Sequence, residues 1–380
     1  MIIEQLVWTA EKGMTKLKAS GKDSFNPQLV LVFGAGFLIS DESRIQEIVS
    51  LFPNAQLIGC STSGEIAGNA VFDNSLVISA LQFEKTELKF VETHLDDTTQ
   101  SYEAAKKLVS DLSLNGLKHL FVLSDGLLVN GTELVSGLRD MLPSNVHVTG
   151  GLAGDGASFE KTYVLNNSSA ESNRIIGIGF YGENLKVGFG SFGGWDSFGI
   201  ERRVTKSIGN VLYEIDDKPA LSLYKSFLGD KADELPASGL LFPLSIRTQA
   251  DSLSVVRTIL AINEQDQSIT FAGDLPEGAY VKLMKANVDR LISGAEKAAM
   301  NCLLNADNHN PEFAILISCV GRKLVLKQMV EEEVEAANHI LGKNTIQSGF
   351  YSYGEISPFS SESKCELHNQ TMTITTFKEV

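Results

Sequence analysis

The stretch Gly59-Cys60-Ser61-Thr62-Ser63-Gly64-Glu65-Ile66 is echoed near the other end of the chain by Gly349-Phe350-Tyr351-Ser352-Tyr353-Gly354-Glu355-Ile356. Both copies read Gly-x4-Gly-Glu-Ile. Each copy follows a predicted strand, an amphipathic helix and a second short strand, and each is followed by another strand. A chain that repeats a β-α-β-loop-β unit is expected to build two related halves with a ligand cleft between them.

The segments that precede the two copies carry matching signals. The run Leu29-Val30-Leu31-Val32-Phe33 is typical of a strand buried on both faces, and Asp41 predicts the start of a helix. Near the other end, Phe313 to Gly321 predicts the corresponding strand and Arg322 to Leu341 the corresponding helix. The two copies therefore agree in their elements as well as in their loops.

A third, looser copy lies between these two. A strand at His119 to Leu123 and a helix at Thr132 to Met141 lead to the loop Gly150-Gly151-Leu152-Ala153-Gly154-Asp155-Gly156. This loop is shorter by one residue, and an aspartate, Asp155, stands where the other copies have glutamate.

The length and the repeats together predict an α/β fold of two domains, built from these units with mixed sheets and flanking helices. Because the composition changes after Trp195, we place the first domain at residues 1–200 and the second at residues 201–380. Near the N-terminus, the apolar residues between Glu4 and Lys18 recur at near-helical spacing, which predicts a helix there.

Charge and composition exclude several classes of protein. The formal net charge of −15 argues against nucleic acid or an anionic membrane as a partner, because either surface would repel the chain. No apolar run reaches the roughly 18 residues that span a bilayer, and no signal peptide is recognisable. The four cysteines show no CxxC spacing, which disfavours zinc and a disulfide framework. These features predict a cytoplasmic protein.

The glycine-rich turns can bring backbone N–H groups close to a ligand, although tight turns between buried strands use the same residues. They are not phosphate loops, because Glu65 and Glu355 stand where the Walker A motif needs lysine. The two glutamates either cap amides within their own turns or hold a cationic group of a ligand. A nucleotide site is therefore disfavoured.

Further candidate residues lie close to the second copy in the sequence. Cys319 follows a buried strand near Arg322, an arrangement that can lower a thiol pKa, although a buried cysteine is more often inert. His368 begins the last strand, and a haem needs only one axial histidine. Tyr351 and Tyr353 alternate along their loop and either stack on a flat ligand or pack on a neighbouring element.

The motifs resemble those of the FIST family. Residues 57–66 are similar to the signature of the FIST N domain, in Leu57-Ile58-Gly59-Cys60-Ser61 and the residues after it. The FIST C domain is resembled by Ser318-Cys319-Val320-Gly321-Arg322, by residues 349–356 and by Leu367-His368-Asn369-Gln370-Thr371. This resemblance implies a sensor of a small ligand that signals to a separate protein, rather than an enzyme.

Stand-alone bacterial FIST proteins of this size include the nitric-oxide-sensing NosP group, which bind haem and regulate histidine kinases. The resemblance to that group implies haem as cofactor, nitric oxide as the sensed ligand and a histidine kinase as partner. It also leaves a homodimer open. His368 is the candidate axial ligand by its position alone.

Three alternatives stay open beside the haem sensor. The first is a sensor of a small polar metabolite such as an amino acid, with Arg322 holding a carboxylate and Glu355 an amine. The second is a cysteine-dependent enzyme that uses Cys319, and the third is an interaction scaffold without a ligand. The residues predicted to contact a ligand are Gly59, Cys60, Glu65, Asp155, Cys319, Arg322, Tyr351, Tyr353, Glu355, His368 and Asn369.

Overall fold

The computed structural model of the chain describes residues 1–19, 25–249, 254–306, 309–360 and 362–380. It confirms the α/β class, because mixed sheets are flanked by helices. The α-helices are α1 (Gly36–Ile39), α2 (Glu42–Leu51), α3 (Ser101–Ser110), α4 (Gly131–Met141), α5 (Ala220–Leu228), α6 (Val288–Asn305), α7 (Val320–Leu326) and α8 (Val330–Leu341). None of the helices in the described part of the chain is long and apolar enough to cross a membrane.

The strands fall into a body and an insertion. The strands of the body are β1 (Ile2–Thr9), β2 (Gly13–Ala19), β3 (Leu29–Gly34), β4 (Gln56–Ser61), β5 (Glu65–Ala67), β6 (Ala70–Phe72), β7 (Leu76–Gln82), β8 (Glu87–His94), β9 (Leu117–Ser124), β10 (His147–Leu152), β11 (Val164–Asn166), β12 (Ser169–Glu171), β13 (Arg174–Tyr181), β14 (Leu185–Phe192), β23 (Phe313–Cys319), β24 (Ile346–Ser352), β25 (Gly354–Pro358), β26 (Cys365–His368) and β27 (Met372–Glu379). The inserted strands are β15 (Asp196–Ile208), β16 (Val211–Ile215), β17 (Lys218–Pro219), β18 (Leu244–Arg247), β19 (Val255–Arg257), β20 (Ile259–Asn263), β21 (Ser268–Phe271) and β22 (Tyr280–Lys285).

Three β-α-β-loop-β units make up most of the fold. The looser middle copy contains all the elements of the unit, as the other two copies do. In each unit the first strand pairs in parallel with the second and antiparallel with the third. The strand order is β4-β3-β7 in the N-terminal unit, β10-β9-β13 in the middle unit and β24-β23-β27 in the C-terminal unit. A further antiparallel strand extends each sheet, namely β1, β8 and β14.

Each unit passes a hairpin to the sheet of another unit. The hairpin β5–β6 of the N-terminal unit pairs with β24, and the hairpin β25–β26 of the C-terminal unit pairs with β10. The hairpin β11–β12 of the middle unit pairs with β4 and so closes the ring of three sheets. The domain division near residue 200 stays a prediction, and strands from both sides of it share sheets.

The inner faces of the three sheets share one apolar core. Phe33 of the N-terminal unit, Phe121 of the middle unit and Phe350 of the C-terminal unit belong to it, and the ring centroids of Phe33 and Phe350 are 4.7 Å apart. The outer faces pack against α2, against α3 and α4, and against α6 and α8. Covering on both faces explains why the run at residues 29–33 is entirely apolar.

Glycine begins each repeated loop because two backbones approach closely there. A Cβ on Gly59, Gly150 or Gly349 would overlap a carbonyl oxygen of the neighbouring parallel strand. These oxygens belong to Val32, Val122 and Leu316, which are the register partners of the three glycines. The shared register shows that the three positions are structurally equivalent.

A left-handed residue stands just before the third strand of every unit. Asn74, Asn173 and Gln370 have φ values of 55°, 57° and 61°. Asparagine adopts this conformation more readily than most residues, whereas glutamine rarely does. The backbone turn is therefore conserved between the units even where the side chain differs.

The strands β15 to β22 form a separate antiparallel sheet inserted between β14 and α6. Its strand order is β19-β18-β22-β15-β16-β21-β20, with β17 paired to β16. The sheet packs with α5 around an apolar core of its own. Within the described residues, 3-10 segments are found at Thr98–Gln100, Gly229–Glu234, Ala237–Leu241 and Lys327–Met329.

Two local predictions are wrong. The segment from Glu4 to Lys18 is not a helix: it forms β1 and β2, and β1 pairs with β7 from Ile2 to Trp8. Pairing with a distant strand outweighs local spacing of apolar residues. The predicted helix from Arg322 to Leu341 is interrupted at Lys327, where φ is 53°, and therefore becomes α7 and α8.

The close strand contact at the loop glycines can be tested with Gly59→Ala. Because the added Cβ would overlap the Val32 carbonyl oxygen, we expect the free energy of unfolding to fall by about 2 kcal/mol or more. Urea unfolding followed by circular dichroism measures it. Gly36→Ala is the matched control, because the nearest atom to its Cβ is 3.8 Å away, and a loss as large as that of Gly59→Ala would contradict this account.

Candidate functional site

The three glycine-rich loops meet at the carboxyl ends of the parallel strands and hold one another through backbone hydrogen bonds. The Ser63 amide donates to the Tyr351 carbonyl at 2.8 Å, and the Tyr353 amide donates to the Leu152 carbonyl at 3.3 Å. The ring closes where the Gly154 amide donates to the Ser61 carbonyl at 2.9 Å. In each case the donor lies four residues, and the acceptor two residues, after the loop glycine of its unit. The duplicated loops are therefore in direct contact.

The two glutamates of the repeated phrase have equivalent structural positions. Glu65 accepts from the Thr62 hydroxyl at 2.5 Å and from the Ser75 hydroxyl and amide at 2.6 and 3.3 Å. Glu355 accepts from the Ser352 hydroxyl at 2.7 Å, and Thr371 supplies a hydroxyl at 2.8 Å and an amide at 3.3 Å. Each carboxyl group therefore fastens its loop to the start of the following strand.

Both carboxyl groups are buried, and burial raises their pKa values. The pKa of Glu65 rises to about 7 and that of Glu355 to about 8, although hydroxyl donors oppose the shift in both cases. A buried carboxylate is costly, because its charge loses hydration. The hydrogen bonds within the turns explain why glutamate follows the second glycine in both copies.

Asp155 has a different role in the middle loop. Its carboxylate accepts from the amides of Phe159, Glu160 and Lys161 at 2.9, 2.8 and 2.8 Å, and from the Tyr353 hydroxyl. The ring of Tyr353 also stacks on Phe159, with 4.5 Å between centroids. The middle loop is thus folded around its own aspartate and packed against the C-terminal loop.

Arg322 lies in a buried ion pair and is not open to a ligand. Its Nη2 donates to Glu333 at 2.7 Å and to the Leu291 carbonyl at 2.8 Å, and Nη1 donates to the Gly193 carbonyl. Both charged side chains are 0% exposed. The Tyr351 hydroxyl donates to the same Glu333 at 2.8 Å. Arg322 and Tyr351 therefore tie α7, α8 and β24 together.

The cysteines of the two motifs are buried thiols. Burial raises the pKa of Cys60 and of Cys319, and neither side chain is more than 2% exposed. The charge of Glu355 raises the Cys319 pKa further, and this outweighs the effect of Arg322. A thiol with a raised pKa is a poor nucleophile at neutral pH. The position of Cys319 therefore does not favour a cysteine-dependent enzyme.

His368 is a buried residue of β26, the edge strand of the sheet that contains β9, β10 and β13, and it does not suit a haem. Its Nε2 is hydrogen-bonded to the Ser357 carbonyl at 2.8 Å, and its ring packs edge-on to Phe359. Burial lowers the His368 pKa to about 4. The neighbouring Asn369 is also buried and donates to the Tyr353 carbonyl at 3.4 Å. An axial ligand needs an accessible ring nitrogen, whereas His368 is 2% exposed and its Nε2 is held by the Ser357 carbonyl.

A cavity of about 860 Å³ lies beside the interlocked loops. One wall is the turn after β3 with Thr62–Glu65, a second is the middle loop from Asp155 to Tyr163, and a third is α7. Among the residues predicted from the sequence, Glu65 and Asp155 line this cavity. Gly59, Cys60, Cys319, Arg322, Tyr351, Tyr353, Glu355, His368 and Asn369 do not line it.

The cavity wall carries charges of both signs that the sequence analysis missed. Lys323 donates to the Ser63 carbonyl at 2.8 Å, contacts the Asp73 carboxylate and lies 5.5 Å from the Tyr351 ring centroid. Lys161 lies 5.0 Å from the ring centroid of Tyr163. The cavity contains neither histidine nor cysteine, so its described lining offers a haem no such ligand. Lys323 directly follows the motif Ser318-Cys319-Val320-Gly321-Arg322, and this position was the only sign in the sequence that it could belong to a site.

Lys327 also lines the cavity and has an unfavourable backbone conformation. Its φ and ψ are 53° and −115°, a region that favours glycine. Gly229, the residue after α5, has nearly the same backbone conformation, with φ and ψ of 57° and −129°.

The fold and the cavity define an α/β protein with a mixed-charge cavity at the junction of three repeated units. The sequence model of the FIST N domain matches residues 28–218, and that of the FIST C domain matches residues 220–358. The chain therefore belongs to the FIST family, whose domains are associated with ligand sensing in signal transduction rather than with catalysis.

The individual relatives add little about function. An uncharacterized protein of Methanocaldococcus jannaschii is 25% identical over 344 residues, which cover 80% of this chain and 64% of that protein. The chain thus spans less than two thirds of that relative. The crystal structure of a cyanuric acid hydrolase from A. caulinodans aligns at 10% identity over 77% of this chain and 99% of that one. Its TM-score is 0.17, which is too low to support an argument.

The two buried carboxyl groups predict a pH dependence of stability. Their folded-state pKa values lie above the ordinary value of 4.5, so the folded protein holds protons that the unfolded chain releases. Their contribution to stability is complete below about pH 4.5 and is lost as the pH rises towards 8. We expect Glu355→Gln to flatten this decline, measured by urea unfolding between pH 5 and 8.5. Glu332→Gln, on the exposed side of α8, is the control, and an unchanged slope in Glu355→Gln would refute the assignment.

The conformation of Lys327 predicts that Lys327→Gly stabilises the protein. Glycine adopts this backbone conformation without a Cβ clash, so we expect the free energy of unfolding to rise by about 1 kcal/mol. Thermal and urea unfolding measure the change. Lys327→Ala is the control, because it removes the same charge and keeps the Cβ; equal stability of the two variants would show that the backbone is not strained.

Proposed function

We propose that this FIST protein senses a small molecule that carries both a carboxylate and an amine, as an amino acid does, in the 860 Å³ cavity. The observation that carries the proposal is the position of the cavity, which is lined by all three units beside the loops that hold them together. The signal passes to a separate protein, for which a histidine kinase is the candidate that the family resemblance suggests.

The charges of the wall favour a ligand with two opposite charges. Lys161 and Lys327 make no ion pair with the described residues and can receive a carboxylate, whereas Asp73 and Glu160 can receive an amine. The Asp73 carboxylate is 66% exposed and is therefore accessible to a ligand. Its partner Lys323 also donates to the Ser63 carbonyl. A ligand with both charges could be matched by side chains of this wall, whereas a ligand with one charge could use only some of them.

Apolar side chains at the same wall favour a ligand that also carries an apolar group. Phe37 is 62% exposed and Leu324 is 37% exposed, and both line the cavity with the ring of Tyr163. Covering them would remove apolar surface from water, at roughly 25 cal/mol per Å². The most suitable ligand is therefore an amino acid with an apolar or aromatic side chain.

A chain of contacts supports a route from the cavity to the inserted sheet. Lys323 joins the N-terminal loop to the Tyr351 ring, and the Tyr351 hydroxyl contacts Glu333. Glu333 pairs with Arg322, which donates to the carbonyl of Gly193, in the turn between β14 and the first inserted strand. A ligand that competes for Lys323 would bias the position of this network, provided that it binds one arrangement more tightly than the other.

Calorimetry with the twenty amino acids tests the proposal directly. We expect at least one apolar or aromatic amino acid to bind and to raise the melting temperature by linkage. Lys161→Gln should weaken that binding by about tenfold, because it removes one charge-assisted contact. Lys12→Gln, in the turn between β1 and β2, should leave the affinity unchanged. If no amino acid binds, or if both variants behave alike, the cavity is not such a site.

The remaining alternatives have readouts of their own. A protein purified with a haem precursor that shows a Soret band shifting with nitric oxide would favour the haem sensor over the metabolite sensor. Loss of a measured activity in Cys319→Ala, with folding intact, would favour an enzyme. A scaffold would bind its partner equally well with and without any small molecule.

A further inference from the structure

A second cavity, of about 180 Å³, lies in the inserted sheet and shares no lining residue with the first. It is bounded by β15, β18, β22 and α5. Its walls are mainly apolar and include Phe198, Ile215, Tyr224, Phe227, Leu244 and Leu283. Nothing in the sensing role proposed above uses this cavity.

A bulge in β15 forms the mouth of this cavity. Phe198 pairs with Leu283 and Arg202 with Val281, so residues 199–201 of β15 face the single residue 282 of β22. Gly199 has a φ of 73°, and the bulge leaves Ile200 70% exposed. Bulges of this kind interrupt strand pairing and often lie beside functional sites.

The aromatic side chains of the cavity wall present no polar atom that is available to a ligand. The Tyr224 hydroxyl donates to the Phe242 carbonyl at 2.7 Å, so only the tyrosine ring is available to a ligand. Phe227 lies opposite the guanidinium of Arg202, with 5.1 Å to the ring centroid. Such a lining excludes polar ligands from the interior and accepts an aliphatic or aromatic group.

The mouth of the cavity carries positive charge. Arg202 donates to Asp216 at 2.8 Å and is therefore already paired. Glu201, the carboxylate of the bulge itself, accepts from Arg247 Nε at 2.7 Å. Lys282 lines the cavity and makes no ion pair with the described residues, although its charge helps to lower the pKa of Glu201 after the larger effect of the Arg247 hydrogen bond. Because Glu201 is already bound by Arg247, the ammonium group of Lys282 is able to receive an anionic group of a ligand at the entrance.

We propose that this cavity binds a small amphipathic carboxylate, with its apolar chain inside and its carboxylate on Lys282. A volume of 180 Å³ holds about six methylene-sized groups, taking the roughly 30 Å³ of a liquid water molecule as the measure. A medium-chain fatty acid or an arylalkanoate has this size. The first cavity, with its charges of both signs, suits a different class of ligand.

Calorimetric titration of the full chain with octanoate tests this second site. We expect saturable binding of one octanoate per chain and none of octylammonium, which has the same tail and the opposite charge. Lys282→Gln should weaken octanoate binding by about tenfold, because the charge-assisted contact is lost. Lys285→Gln is the matched control, because it lies on the same strand outside the cavity and should change the affinity by less than about twofold.

Three results would overturn the proposal. Binding of octylammonium as tightly as octanoate would show general adsorption of the tail, and binding without saturation at one equivalent would show the same. Unchanged octanoate affinity in Lys282→Gln, with a normal circular dichroism spectrum, would place the carboxylate elsewhere. Because octanoate carries no amine, failure here leaves the amino-acid site in the first cavity unaffected.

Discussion

The ring of backbone hydrogen bonds between the three glycine-rich loops is the constraint on which the rest of the structure depends. In each loop, one amide donates a hydrogen bond to a second unit and one carbonyl accepts a hydrogen bond from the third unit. The sheet of each unit also includes a hairpin from another unit. The exchanged hairpins follow from this arrangement, because the segment after each loop continues into the sheet of a neighbouring unit. Any ligand beside the loops therefore contacts the point where all three units meet.

Burying this junction demands that its polar groups be satisfied internally. Glu65 and Glu355 are held by hydroxyl and amide donors, and Arg322 is matched by Glu333 and two backbone carbonyls. A buried ion pair of this type adds little net stability but is costly to break on one side. These groups therefore fix the geometry of the cavity wall, while Lys161 and Lys327 on that wall make no ion pair with the described residues.

Much of the fold could be predicted from local sequence. The apolar run at Leu29, the capping Asp41 and the Gly-x4-Gly-Glu-Ile phrases identify strands, helices and equivalent loops. The N-terminal segment could not, because β1 depends on pairing with the distant β7, and β2 depends on pairing with β1. The middle unit is the least similar to the other two in sequence, because Asp155 replaces the buried glutamate. Its carboxylate accepts hydrogen bonds from amides of its own loop. Of the residues near the repeated phrases that were expected to face a ligand, Glu65 and Asp155 line the cavity, and most of the others are buried away from it.

The sequence by itself determined the repeated unit, the glycines at its loops and the family to which the chain belongs. Those features are local, because a strand, a cap or a close backbone approach requires particular residue types at fixed spacing. Only the tertiary structure decided which units exchange hairpins, which charges are buried in pairs and which face the cavity. Arg322 and Lys323 are adjacent in the chain, yet one is enclosed by Glu333 and the other reaches the cavity wall. Their separate fates depend on the packing of α7 against α8 and the N-terminal loop, which no local pattern records.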